Sequence, residues 1–68
     1  MPDPKAELGD AVRVLRLIAE GKTVAEIARE MRVTQYAVRA HVRFALAELE
    51  AVNRPHAVAI AFREGLLR

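Results

Sequence analysis

Three arginines, Arg32, Arg39 and Arg43, fall between Met31 and Phe44 together with one histidine and no acid. Arg39 and Arg43 are four residues apart, so on a helix they share one side. Tyr36 lies on that side as well and brings a ring and a hydroxyl, and Gln35 adds an amide. Arginine grips a phosphate, or the O6 and N7 of guanine, through two parallel bonds whose geometry lysine cannot match. A helix fits the major groove of a duplex, and the residues near its amino end reach base edges. Lys22 and Thr23 stand at the start of a second, shorter helix, where amides and hydroxyls can meet backbone phosphates. Arg32 and Thr34, in the turn between the two helices, are placed for the same work. The bland alternative is that Arg39 and Arg43 form the solvated face of an ordinary helix. Glu48 and Glu50 come later in the longer helix and would be repelled by DNA unless they point away.

Other chemistries are poorly supplied. The chain has no cysteine, which removes disulfides, thiol catalysis and thiolate zinc sites, and no serine, which removes a serine nucleophile. His41 and His56 are fifteen apart with no carboxylate at ligand spacing, so no metal and no cofactor is expected. His41, at the edge of an inward stripe, reads as a semi-buried residue bonding the first helix or a phosphate, with a pH switch as the sharper alternative. His56 reads as solvated. Glu48 and Glu50, two apart on a helix, point in different directions and cannot share a substrate as an acid–base pair. The three glycines are scattered and make no phosphate loop. An enzyme is therefore not expected. No apolar run approaches the ~18 residues of a membrane span, and the amino end lacks an apolar signal segment. A cytoplasmic, nucleoid-associated protein with no membrane partner is the expectation.

The elements that must hold these residues are helices. At 68 residues the chain is one small domain, which buries only about 60% of its unfolded surface. Apolar residues make up 53%, too many for a disordered chain, and 13 of them are alanine, which favours closely packed helices. The net charge is +2, so its meaning depends on where the charges sit. Residues 1–5 read as a lead-in, with Asp3 a candidate cap and Pro4 a candidate first helical residue. The domain is 6–68, with helices over about 6–20, 24–31, 35–51 and 55–64. The first carries Leu8, Ala11, Val12, Leu15, Ile18 and Ala19 on one face, widened by Val14 and Leu17, and so should lie centrally. Gly21 ends it. Thr23 and Glu26 have capping-box spacing, and Val24, Ile27, Ala28 and Met31 face inward. Thr34 caps the third helix, whose inward stripe is Val38, Val42, Ala45, Leu46 and Leu49. Tyr36, Arg39, Ala40, Arg43 and Ala47 line the opposite side. Asn53 and Pro55 start the last helix, and Gly65 stops it. There Val58 and Phe62 suit the core. Ala57, Ile60 and Ala61 form a neighbouring strip, which is either more core or a face for self-association. The fold class is all-α, four helices with short connections, the middle pair outlining a helix-turn-helix.

The segments Val14 to Gly21 (VLRLIAEG), Glu26 to Ala28 (EIA), Val33-Thr34, Val38 to Val42 (VRAHV) and Asn53 to Val58 (NRPHAV) together resemble the LuxR-type (GerE-like) helix-turn-helix. The resemblance covers roughly residues 8–67. It implies a trihelical core like that of the winged-helix superfamily plus a C-terminal helix. It also implies a DNA-binding domain of bacterial transcriptional regulators that binds half-sites as a dimer, with the third helix in the major groove and the fourth at the dimer contact. The groove-side basic positions of that family fall on Arg39 and Arg43, with Ala40 between them.

The chain also departs from the family pattern. Leu8-Gly9-Asp10-Ala11 stands where Leu-Thr-x-x-Glu is frequent, Val24-Ala25 where Asn-Lys is, and Ala37 where a threonine is. Ala47-Glu48 and Glu50 replace a basic pair and a glycine. Phosphate partners are lost, so DNA binding weaker or more dimer-dependent than usual is expected. The expectation is a stand-alone, sequence-specific DNA-binding regulator acting as a homodimer, possible further partners being RNA polymerase or another regulator. The alternative is a small interaction module docking on a larger regulator, a sigma factor or RNA polymerase, for which the acidic end of the third helix and the alanine-rich fourth speak.

Overall fold

A computed structural model describes residues 4–68, with side chains from Leu8 onward. Residues 1–3 of the expected lead-in, with the candidate cap Asp3, lie outside the described residues. Four helices follow one another: α1 Pro4–Ala19, α2 Val24–Met31, α3 Gln35–Leu49 and α4 Arg54–Arg63. Helix α1 begins at Pro4 rather than Ala6, because proline's fixed φ suits a first helical turn whose amides have no partner anyway. Helix α3 stops at Leu49, two residues short of the expected Ala51, because Glu50 turns left-handed at φ 52.

Local chemistry sets the starts. Thr23 Oγ1 accepts from Glu26 N–H (3.2 Å) while Thr23 N–H donates to Glu26 Oε1 (3.0 Å), a complete capping box. Thr34 Oγ1 accepts from Ala37 N–H at 3.0 Å, and Asn53 Oδ1 accepts from His56 N–H at 2.9 Å. The ends share one device, in which two successive amides bond back to carbonyls five and three residues earlier. For α1 these are Lys22 N–H to Leu17 (3.1 Å) and Gly21 N–H to Ile18 (2.9 Å). For α3 they are Ala51 N–H to Leu46 (2.9 Å) and Glu50 N–H to Ala47 (3.3 Å).

The device needs a residue with positive φ. Gly21 (φ 87) and Gly65 (φ 77) supply it without strain, whereas Arg32 (φ 58) and Glu50 (φ 52) carry a Cβ into it. A left-handed conformation costs such a residue about 1–2 kcal/mol, partly offset by the larger unfolded-state freedom that glycine would bring. Glu50→Gly is therefore expected to stabilise the fold by about 0.5–1 kcal/mol, a rise of a few degrees in the midpoint of a circular-dichroism melt. A lower midpoint would mean that the Glu50 side chain contributes more than its backbone strain costs.

Helices α1 and α3 touch each other and both remaining helices, while α2 and α4 make no mutual contact. The core accordingly has two parts. Val14, Leu17, Ile27, Ala28, Val38 and Val42 bury themselves around α2 and the first half of α3. Ala11, Leu15, Ala45, Ala57, Ala61 and Leu67 do so around α4 and the second half of α3. Leu46 packs against both. No polar or charged residue is buried among the described residues. On α4 the core alternative holds for one strip, and the expected core pair falls short. Ala57, Ile60 and Ala61 are core, at 0%, 5% and 0% exposure, so they offer no surface to a second copy. Phe62, expected inside, is 48% exposed, and Val58 is half-buried. The buried strip meets α1 and α3, and at ~100° per residue Phe62 falls roughly on the opposite side of α4.

Candidate nucleic-acid interface

The turn Arg32-Val33-Thr34 joins α2 to α3 and fixes where α3 points. Its first residue is the left-handed Arg32, and its last caps α3. Val38 and Val42 pin the inner side of α3 to α1 and α2. Gln35, Tyr36, Arg39 and Arg43 are then left exposed on the outer side, with Ala40 half-buried beside them. Tyr36 is 75% exposed, an extreme value for an aromatic residue.

These side chains are joined to one another. Arg39 Nη2 donates to Gln35 Oε1 at 3.4 Å. The Arg43 guanidinium lies over the Tyr36 ring, 6.0 Å from its centroid, within cation–π range. No acid occupies the first turn of α3, so the partial positive charge of its amino end is uncompensated. At ~100° per residue, Glu48 lies roughly on the opposite side of the helix from this group. Glu48 therefore points away from the basic face, whereas Glu50 follows the last helical residue as its left-handed cap.

The amino end of α2 is differently furnished. Glu26 already occupies its first turn and takes the Thr23 amide. Lys22 Nζ stands 3.9 Å from Glu30 Oε2. Thr23 and Thr34 use an oxygen lone pair for capping, and each hydroxyl keeps its hydrogen to donate elsewhere. Lys22 and Thr23 make no bond to the α3 group, so the expected set divides into an acid-free part on α3 and a part on α2 that is balanced by carboxylates.

The bonds from the Thr23 backbone and side chain hold the Glu26 carboxyl below its ordinary value of 4.5, with smaller help from Lys22 and Arg29. A folded value that is depressed adds stability above the unfolded value and loses it as pH falls through the folded one. The contribution of Glu26 is thus fully present above about pH 4.5 and is lost as pH falls through the lower folded value. Glu26→Gln is expected to flatten the acid limb of a stability-against-pH series. An unchanged limb would remove Glu26 from the account.

Two features escaped the sequence reading. His56, taken as solvated, is half-buried, and its Nδ1 accepts from Val52 N–H at 3.0 Å, so it ties the α3–α4 turn. Val52 (82% exposed) and Phe62 (48%) are outward apolar residues, with exposed Pro55 and Ala59 between them in the chain. Pro55, Ala59 and Phe62, spaced by four and three residues, share one face of α4, which was the available signal, while Val52 lies in the turn before it. Among the described residues there is no cavity, no cluster able to hold a metal, and no helix long and apolar enough to cross a membrane.

A short helix and a longer one, joined by a three-residue turn and braced by α1, define a four-helix helix-turn-helix domain. Residues 12–61 match the family described as bacterial regulatory proteins, luxR family, and the chain belongs to that family, one of regulators rather than enzymes. It is similar to the HTH-type transcriptional regulator AlkS of Ectopseudomonas oleovorans, 41% identical over 82% of this chain and 6% of that protein. It is also similar to the transcriptional activator protein BjaR1 of Bradyrhizobium diazoefficiens, 36% identical over 97% of this chain and 28% of that one. The chain thus spans less than a third of the length of either relative. No solved structure matches it.

Proposed function

We propose that this chain binds double-stranded DNA with α3 in the major groove, as a homodimer, and so regulates transcription in the bacterial cytoplasm. The observation that carries this reading is the acid-free outer face of α3, where Gln35, Tyr36, Arg39 and Arg43 are all exposed. Gln35, Tyr36 and Arg39 stand in the first turns, where a groove helix meets base edges, and Arg43 follows one turn later. Arg32 and the Thr34 hydroxyl would hold adjoining phosphates. Lys22 and Thr23 would add a weaker contact, because Glu30 and Glu26 already partner them. The dimer contact would use the outward side of α4, Phe62 and Ala59 with Val52, in place of the buried Ala57, Ile60 and Ala61.

A labelled random-duplex pool titrated with protein at about 50 and 200 mM salt tests this reading. Anisotropy should rise at the lower salt and weaken steeply at the higher, and bound duplexes should enrich a motif whose half-site spacing reports the dimer. Absence of binding at low salt would defeat the reading. The same exposed Val52 and Phe62 would serve a docking module for another regulator or RNA polymerase. Co-elution with RNA polymerase in the absence of any DNA binding would favour that reading instead.

A further inference from the structure

Two bonds fasten the start of α4. Asn53 Oδ1 accepts from His56 N–H at 2.9 Å, and His56 Nδ1 accepts from Val52 N–H at 3.0 Å. The arrangement is a capping box moved one residue outward, with a histidine where α2 uses Glu26. The Ala51 amide closes α3 by bonding Leu46, and the Ala57 amide bonds Asn53. Between them, His56 is the partner that the Val52 amide has among the described residues.

Histidine in place of glutamate changes the chemistry. A carboxylate offers several acceptor sites. Nδ1 of a neutral imidazole offers one lone pair, and only while the ring hydrogen sits on Nε2. The protonated ring carries hydrogens on both nitrogens and accepts nothing. Histidine is the side chain whose charge changes between about pH 5 and 8. The added charge would stand in the first turn of α4, beside Arg54, where the free amides are already partly positive and no acid is present. On the elements packed against α4, the charged or titratable residues bordering its contacts are Asp10 and Arg13 on α1, and His41, Glu48 and Glu50 on α3 and its cap. None of these carboxylates pairs with the ring, since the one ion pair among the described residues joins Lys22 to Glu30.

We propose that His56 is a proton-sensitive latch on the α3–α4 turn. Neutral, it holds Val52 in the turn that leads into the apolar face of Pro55, Ala59 and Phe62. Protonated, it releases the Val52 amide. The folded chain must break a bond to take up this proton and the unfolded chain need not. The latch therefore contributes while the ring is neutral, and the contribution is lost as pH falls through the histidine range. The consequence for assembly rests on the proposed dimer contact through that face: self-association weakens on acidification.

The test compares the wild type with His56→Gln, whose amide oxygen accepts at every pH. Nuclear magnetic resonance between about pH 7.5 and 5 should show the ring hydrogen on Nε2 at the upper end and the Val52 amide signal moving in step with ring protonation. Sedimentation equilibrium should show the wild-type dimer dissociation constant rising about fivefold over that range, as for one ordinary hydrogen bond lost. That of His56→Gln should stay constant, with circular dichroism checking that both proteins are folded. A ring hydrogen on Nδ1 at the upper end overturns the latch. So does a Val52 amide that stays in place while the ring takes its proton. Equal weakening of the His56→Gln dimer by acid overturns the link to self-association and assigns it to another group, such as His41. A wild type that is monomeric throughout overturns the dimer reading alone, because the Val52 amide reports the latch without it.

Discussion

Leu15→Ala is expected to leave the chain largely unfolded at 25 °C. Leu15 is 1% exposed and lies in the part of the core that holds α4. Its fully buried companions there are Ala11, Ala45, Ala57, Ala61 and Leu67, so it is one of two large side chains fully buried in that cluster, with Phe44, Leu46, Leu49 and Leu66 packed around it. Its alanine neighbours have no side-chain freedom with which to close a void, so relaxation falls to the partly buried side chains around the cluster and to the helices themselves. A buried leucine cut to alanine costs about 2–5 kcal/mol, the upper range where the site cannot relax. A domain below ~70–80 residues seldom has more than about 3–5 kcal/mol to lose. Circular dichroism at 222 nm should show most of the helical signal gone, or a melting midpoint below room temperature. Recovery of helix on adding a bound duplex or raising protein concentration would mean that association adds the missing stability. A melt within a few degrees of the wild type would mean that α4 carries little of the fold.

The two halves of the molecule were not equally legible in the sequence. Thr23, Thr34 and Asn53 announce their helices because a short side chain with an oxygen bonds the amides just ahead of it, and all three do so. The inward stripe of α3 was readable because Val38, Val42 and Ala45 alternate with arginines, so that period and charge agree. Helix α4 gave no such contrast. Ala57, Val58, Ala59, Ile60, Ala61 and Phe62 are all apolar, and a run apolar on every side does not say which side is buried. Its packing against α1 and α3 decides that: Ala57, Ile60 and Ala61 go inside, while Ala59 and Phe62 stay outside. The end of α3 was misjudged for a related reason. Glutamate at position 50 has no preference for a left-handed turn, and the pull comes from the carbonyls of Leu46 and Ala47. His56 was read as solvated because its partner is the amide of a turn whose path the sequence does not specify. In the candidate interface, the residue types and spacing marked the exposed face of α3. The turning-away of Glu48 follows from helix geometry, whereas the carboxylate partners of Lys22 and Thr23 depend on how the chain enters α2.

Arg39→Ala and Arg43→Ala should both weaken DNA binding, but in different ways. Arg39 sits one turn into α3, within the stretch from which a groove helix meets base edges. Its guanidinium is steadied by Gln35 rather than by an acid that would cancel its charge. If it grips guanine, its loss should cost about 1–3 kcal/mol on the selected site, roughly 5- to 150-fold in affinity. On an unrelated duplex the loss should be much smaller. Arg43 lies a further turn along and is held over the Tyr36 ring, a placement better suited to the rising backbone than to the groove floor. Its replacement should weaken binding to all sequences alike and lower the slope of log K against log salt by about 0.9, the contribution of one phosphate. Titrations of both variants on the selected and an unrelated duplex, at several salt concentrations, separate the two roles. Equal losses on both duplexes for Arg39→Ala would make it a phosphate contact, and no loss for either arginine would remove α3 from the interface.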